Sequence, residues 1–180
     1  MKDDVKTLSY DDALPMQWSE LSAPLEGVRL ERLCESNANL LGRVAAIEER
    51  HRMVGEEGEL EQEINRLHSK IDLLLGLVAS IARAHLKLPE TVELRLSADY
   101  VRWKSVGPAP AAGSRIMISL YLNPCIAEPL QMPAVVQDQS DGRLEACFEH
   151  PGASCYSALE QHVFLHHRRS VAETRYLGKK

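Results

Sequence analysis

The residues best equipped for chemistry lie towards the C-terminal end. His162 and His166 are four apart in a stretch of helical character, with Cys155 and His167 close by. Two imidazoles at that spacing share one helix face and can hold a metal ion. The order His162-Val-Phe-Leu-His166 lacks the glutamate that follows the first histidine in zinc protease helices and serves there as general base. A solvated helix face is the expected role, and no metal site is assigned. The acidic pairs Asp3-Asp4, Asp11-Asp12 and Glu56-Glu57 fit solvated charge or complement a helix dipole. The chain holds no serine in a G-x-S-x-G elbow, no phosphate loop and no dinucleotide fingerprint. It is expected not to be an enzyme. One further constellation, Arg95-Leu-Ser97-Ala-Asp-Tyr100-Val-Arg102-Trp103, combines two guanidinium groups with two hydroxyls.

Composition narrows the partners. A formal charge of −5 over 180 residues argues against broad electrostatic binding to nucleic acid or an anionic membrane. No run of 18 apolar residues is present, and the opening Met1-Lys2-Asp3-Asp4 has no apolar signal core, so a cytoplasmic protein without membrane insertion is expected. Cys34, Cys125, Cys147 and Cys155 are scattered without a C-x-x-C pair, which predicts reduced thiols rather than disulfides or a zinc knuckle.

The elements that must position these residues begin with a run from Glu59 to Leu88. Leu60, Ile64, Leu67, Ile71, Leu74, Val78 and Ile81 recur in steps of four and three, then His85 interrupts before Leu88. Such heptad spacing describes a helix that buries one seam against partner helices. These seven residues are the expected oligomer interface. β-Branched residues at a with leucine at d favour a parallel dimer, while Leu73, Leu75 and Leu77 widen the apolar face towards a larger bundle. Dimer and tetramer, and parallel and antiparallel arrangements, stay open on this evidence. Upstream, Ser22 and Pro24 look like a helix start. Leu30, Leu33, Asn37, Leu40, Val44, Ile47, His51 and Val54 then step along a second heptad-like helix of about 27 residues, or about 40 Å. Asn37 is expected either to fix register at that seam or to be exposed. Gly55-Glu56-Glu57-Gly58 would cost a continuous helix about 2 kcal/mol, so a turn joining the two is predicted.

The rest reads as strand. Leu8 to Leu21 is interrupted by Pro15, which predicts a strand or extended arm with Trp18 as an anchor to the core. After Pro89, Thr91–Ser97 alternates with Val92, Leu94 and Leu96 on one face. Tyr100–Trp103, Arg115–Leu122, Leu130–Val136 and, after Asp141-Gly142, Arg143–Glu149 complete five short strands. An amphipathic stretch from Ser157 to about Glu173 is predicted to close the barrel as a helix.

In this setting Arg95-Leu-Ser97-Ala-Asp-Tyr100 resembles the second motif of PilZ domains, small bacterial barrels that sense cyclic di-GMP. Gly142-Arg-Leu-Glu-Ala-Cys-Phe-Glu149 looks like the last barrel strand of that family, and Tyr156 to Arg169 is similar to its closing helix. Tyr10-Asp-Asp-Ala-Leu-Pro-Met-Gln-Trp18 looks like the opening of the atypical, tetramer-forming subfamily, in which two long helices interrupt the barrel. The resemblance implies an α+β fold: a six-stranded antiparallel barrel interrupted by two long heptad-bearing helices, with a C-terminal helix. Residues 1–25 and 89–180 would form the barrel and 26–88 an inserted helical hairpin and coiled coil. It also implies a homotetramer serving processes such as motility or virulence.

The departures from the family motif concern the ligand. The pattern wants Asp or Asn, then x-Ser-x-x-Gly, whereas this chain has Arg95 and Tyr100 around the retained Ser97. It also wants an Arg-x-x-x-Arg segment before the barrel, whose guanidinium groups grip phosphate and stack on guanine. No arginine precedes Arg29; Arg29 and Arg32 have the wrong spacing, and Arg83 with Lys87 is a poor mimic. Arg95, Ser97, Tyr100 and Arg102 are therefore a vestigial ligand motif. The expectation is a non-catalytic adaptor without a cofactor, working through an unknown protein partner, with weak or no cyclic di-GMP binding. The alternative is a direct receptor with a rearranged site.

Overall fold

The computed structural model describes residues 7–50, 59–85, 88–105, 107–140, 142–149 and 152–177, with a few side chains inside these ranges, Leu60 and His85 among them, undescribed. Six strands alternate inward and outward along their length and close on one another. They are β1 (Ser9–Glu20), β2 (Thr91–Ser97), β3 (Tyr100–Lys104), β4 (Arg115–Leu120), β5 (Leu130–Ser140) and β6 (Arg143–Phe148). Their order around the wall is β1-β2-β3-β6-β5-β4, antiparallel at every pairing. Two long helices, α1 (Gly27–Arg50) and α2 (Glu59–His85), lie between β1 and β2 in the chain, and α3 (Ala153–Leu177) follows β6.

Closure depends on Pro15. Ser9–Pro15 pairs with β2 and Met16–Glu20 pairs with β4, so one strand joins the two edges of the sheet. A residue with no amide hydrogen is tolerated at such a change of partner, where a ladder bond is already interrupted. The Pro15 carbonyl accepts the Tyr121 amide hydrogen at 3.1 Å, and the Met16 amide donates to the Glu90 carbonyl at 3.2 Å, fastening the corner. Trp18 is half-buried against the core, as its anchoring role requires. At the β5–β6 hairpin, Ser140 pairs with Arg143, which leaves a two-residue turn. Gly142 takes φ +71° there, a conformation that glycine adopts at no steric cost.

The period-two residues fill the barrel. Leu94, Leu96, Val101, Trp103, Ile116, Ile118, Leu120, Leu130, Met132 and Leu144 are all buried. α3 packs on β1 and β2, and α1 packs on β5 and α3, so the two helices form one layer over the barrel. Among the described residues, α1 makes no packing contact with α2; its heptad residues Asn37, Leu40 and Val44 are buried together with Cys34 and Leu41. A seam at heptad spacing is satisfied by any apolar surface of the right shape, and the barrel with α3 supplies one here. Asn37 is neither exposed nor a register device between long helices. Its Nδ2 donates to the Gln131 carbonyl at 2.7 Å and its Oδ1 accepts the Gln131 amide hydrogen at 3.1 Å. β6 reaches along β5 only as far as Ala134. Asn37 therefore occupies the place of the missing strand and satisfies both backbone groups of Gln131.

The predicted turn at Gly55–Gly58, the helix residues His51 and Val54, and the boundary near Lys87 lie outside the described residues. None of the four cysteines forms a disulfide, and Cys34 and Cys155 are buried. Among the described residues, no helix is long and apolar enough to cross a membrane.

Candidate functional site

The strand positions that face outward carry the two arginines of the Arg95–Arg102 segment. On the outer wall, β1, β2, β3 and β6 form a groove of about 720 Å³ that brings Arg95, Arg102, Lys104 and Arg143 beside Asp11, Asp12 and Glu93. Alternation explains this gathering. Asp11, Arg95 and Arg102 lie side by side across three strands in register, and Arg102 is opposite Glu145 on the fourth. Arg95 spends its fork on Asp11, with Nε and Nη2 each donating at 2.7 Å to a separate carboxylate oxygen. That bonding holds the Asp11 carboxyl below its ordinary value against the opposing effect of partial burial. Arg102 donates from Nε at 2.8 Å and from Nη2 to the same Glu145 oxygen, while its guanidinium lies 5.6 Å from the Tyr100 ring centre. Two of the four cations are therefore already paired. Lys104 and Arg143 carry no carboxylate partner among the described residues.

Ser97 is not in the groove. It is fully buried, and its hydroxyl accepts the Asp99 amide hydrogen at 3.2 Å, holding the tight turn between β2 and β3. The Asp99 carbonyl in turn accepts from Phe148 at 2.8 Å. The structure brings Arg95 and Arg102 together, leaves Tyr100 beside them, and gives Ser97 a backbone-shaping role.

The histidines contradict the solvated helix face. His162 is only 4% exposed, with its Nε2 at 2.9 Å from the Tyr10 hydroxyl. His166 stacks on the Tyr10 ring at 4.6 Å, and its Nε2 lies 3.1 Å from Oε1 of Glu48. Arg169 bonds the second oxygen of Glu48 at 3.0 Å. His167 Nδ1 sits 2.8 Å from the Ser9 carbonyl. The spacing of four on α3 was visible in sequence. Glu48 and Tyr10 were not, because they come from α1 and β1, 118 and 152 positions away.

Burial, then the neighbouring His166, lowers the His162 pKa from 6.5 to about 4. Between these values the unfolded chain binds a proton that the native imidazole refuses. Stability is thus complete above pH 6.5 and falls as pH drops towards 4, by up to about 3 kcal/mol. Melting curves across that window should show the decline, and His162→Gln should flatten it. An unchanged slope in that variant would assign acid sensitivity elsewhere.

The other exposed feature is α2. Ile64, Leu67, Ile71, Leu73, Leu74, Leu75, Leu77, Val78 and Ile81 are 43% to 65% exposed, and α2 packs on no other element among the described residues. A contiguous apolar stripe of this size on an unpartnered helix marks an interaction surface.

A model of the family described as "Atypical PilZ domain, cyclic di-GMP receptor" matches residues 40–176. Among solved structures, the chain is similar to a pathogenic protein from Xanthomonas campestris, described as a new tetrameric PilZ domain self-assembled via an unusual helical bundle. The TM-score is 0.71 at 27% identity, over 93% of this chain and 92% of that one. No curated protein matches the sequence.

Proposed function

The chain belongs to the atypical PilZ domain family, and on that premise we propose that it is a non-catalytic cytoplasmic signalling adaptor. It self-assembles through α2 into a homotetramer, acts through protein–protein contact, and binds cyclic di-GMP weakly or not at all. The observation that carries this proposal is the apolar stripe of α2, solvent-facing in the single chain at Ile64, Leu67, Ile71, Leu74, Val78 and Ile81. A helix of 27 residues gains little stability from its backbone alone and needs a packed face. The tetrameric helical bundle of the similar Xanthomonas protein supports a second, third and fourth copy of α2 as that face.

The groove supports the weak-binding half of the proposal. A ligand with two phosphates must either displace Asp11 from Arg95 and Glu145 from Arg102 or rely on Lys104 and Arg143. Asp11, Asp12 and Glu93 oppose an anion at the same place. One specific observation favours the direct-receptor alternative: those two cations, without a carboxylate partner among the described residues, lie in a groove large enough for a small molecule.

Calorimetric titration of the intact assembly with cyclic di-GMP separates the two. The adaptor function predicts no saturable heat at micromolar ligand. Saturable binding that is weakened by changing Lys104 and Arg143 together to Ala would replace it with the receptor function.

A further inference from the structure

Glu48, His162 and His166 offer one ligand atom each, and these atoms all lie within 4.8 Å of one another. From this cluster we infer that the protein has a binding site for one divalent first-row transition metal ion, of the zinc class, at the junction of α1, α3 and β1. Two imidazoles and a carboxylate are the donor set that zinc, cobalt and nickel prefer, whereas magnesium and calcium demand mostly oxygen. Three protein ligands also leave a fourth position for water, as in many zinc sites.

The distances fit with modest adjustment. Ligands about 2.1 Å from a tetrahedral ion stand about 3.4 Å apart. The His166 and Glu48 atoms are already 3.1 Å apart, so only the His162 nitrogen must draw in. Glu48 has an outer partner that orients it, as metal ligands usually do, and Tyr10 packs against both imidazoles. Arg169 holds Oε2 of Glu48 and leaves Oε1 turned towards the imidazoles, the Tyr10 hydroxyl holds His162, and the Tyr10 ring stacks on His166. His162 and His166 are fixed by adjacent turns of α3, with ring centres 4.3 Å apart. Without an ion His166 bonds Glu48, and His162 bonds the Tyr10 hydroxyl. With one, the last turn of α1 becomes fastened to α3.

The test is titration of chelator-stripped full-length protein with Co²⁺ and then Zn²⁺. One Co²⁺ per chain should give visible d–d absorption that Zn²⁺ abolishes, and Zn²⁺ should raise the melting temperature. Imidazole ¹⁵N resonances of His162 and His166 should move on Zn²⁺ addition, while those of His68 on exposed α2 stay in place. Glu48→Gln and His166→Gln should each weaken Co²⁺ binding by at least about 100-fold, and His68→Ala should not. Absence of a stoichiometric Co²⁺ spectrum in the unmutated protein would overturn the inference. So would shifts confined to histidines other than His162 and His166, which needs no variant to fold.

Discussion

Leu67→Asp is expected to convert the assembly into single chains. Leu67 lies in the middle of the α2 stripe, 54% exposed in the isolated chain, with Ile64 and Ile71 on either side. Burying a leucine contributes about 2 kcal/mol, and the substitution removes that contribution from every helix of the bundle at once. Each helix would also carry a carboxylate into an apolar seam, where it must be desolvated without a partner or take up a proton. Light scattering should report the mass of one chain in place of four. Far-UV circular dichroism should lose helix as well, because α2 packs on nothing else among the described residues. Arg95→Ala serves as the control. Its pair with Asp11 is largely exposed, so assembly and melting temperature should barely change. A tetramer that survives Leu67→Asp, or one lost on Arg95→Ala, would place the interface away from α2.

Asn37→Leu should be the most damaging single change to the barrel's helix layer. Leucine fits the volume but leaves the Gln131 amide and carbonyl groups without the two bonds that Asn37 now makes. Orphaning buried or half-buried polar groups costs about 1–3 kcal/mol each, so a loss of about 3 kcal/mol is expected. For a chain of this size that lowers the melting temperature on the order of 10 °C. Because Asn37 is remote from the α2 stripe in function, light scattering should still find the full assembly below the transition. A change under about 1 kcal/mol would show that β5 finds another partner for Gln131.

Asn37 also shows where sequence reasoning reached its limit. Its place in a heptad row is legible in the sequence, but spacing specifies a buried face and not what buries it. The same limit applied to His162 and His166. Their shared face was legible, but its environment was set by Glu48 and Tyr10, which no local pattern connects to α3. Pro15 was legible as an interruption; that the interruption lies where β1 passes from β2 to β4 required both sheet edges. The motif around Ser97 is legible as a string, but that its hydroxyl is buried on the Asp99 amide and shapes the β2–β3 turn shows only in the fold.

By itself the sequence determined the elements. Period-two alternation specified the strands from Thr91 onward, heptad spacing specified α1 and α2, and Asp141-Gly142 specified a hairpin turn, since each depends on residues close in the chain. The order of motifs was enough to point to the family. Only the tertiary structure decided which apolar faces are already covered: α1 is buried against β5 and α3, while the α2 stripe stays exposed in the single chain among the described residues. It alone decided that Arg95 and Arg102 face carboxylates and that two histidines meet a glutamate. The physical reason is common to all three. Burial and electrostatic pairing are properties of neighbours in space, and a closed barrel makes neighbours of residues that the chain keeps far apart.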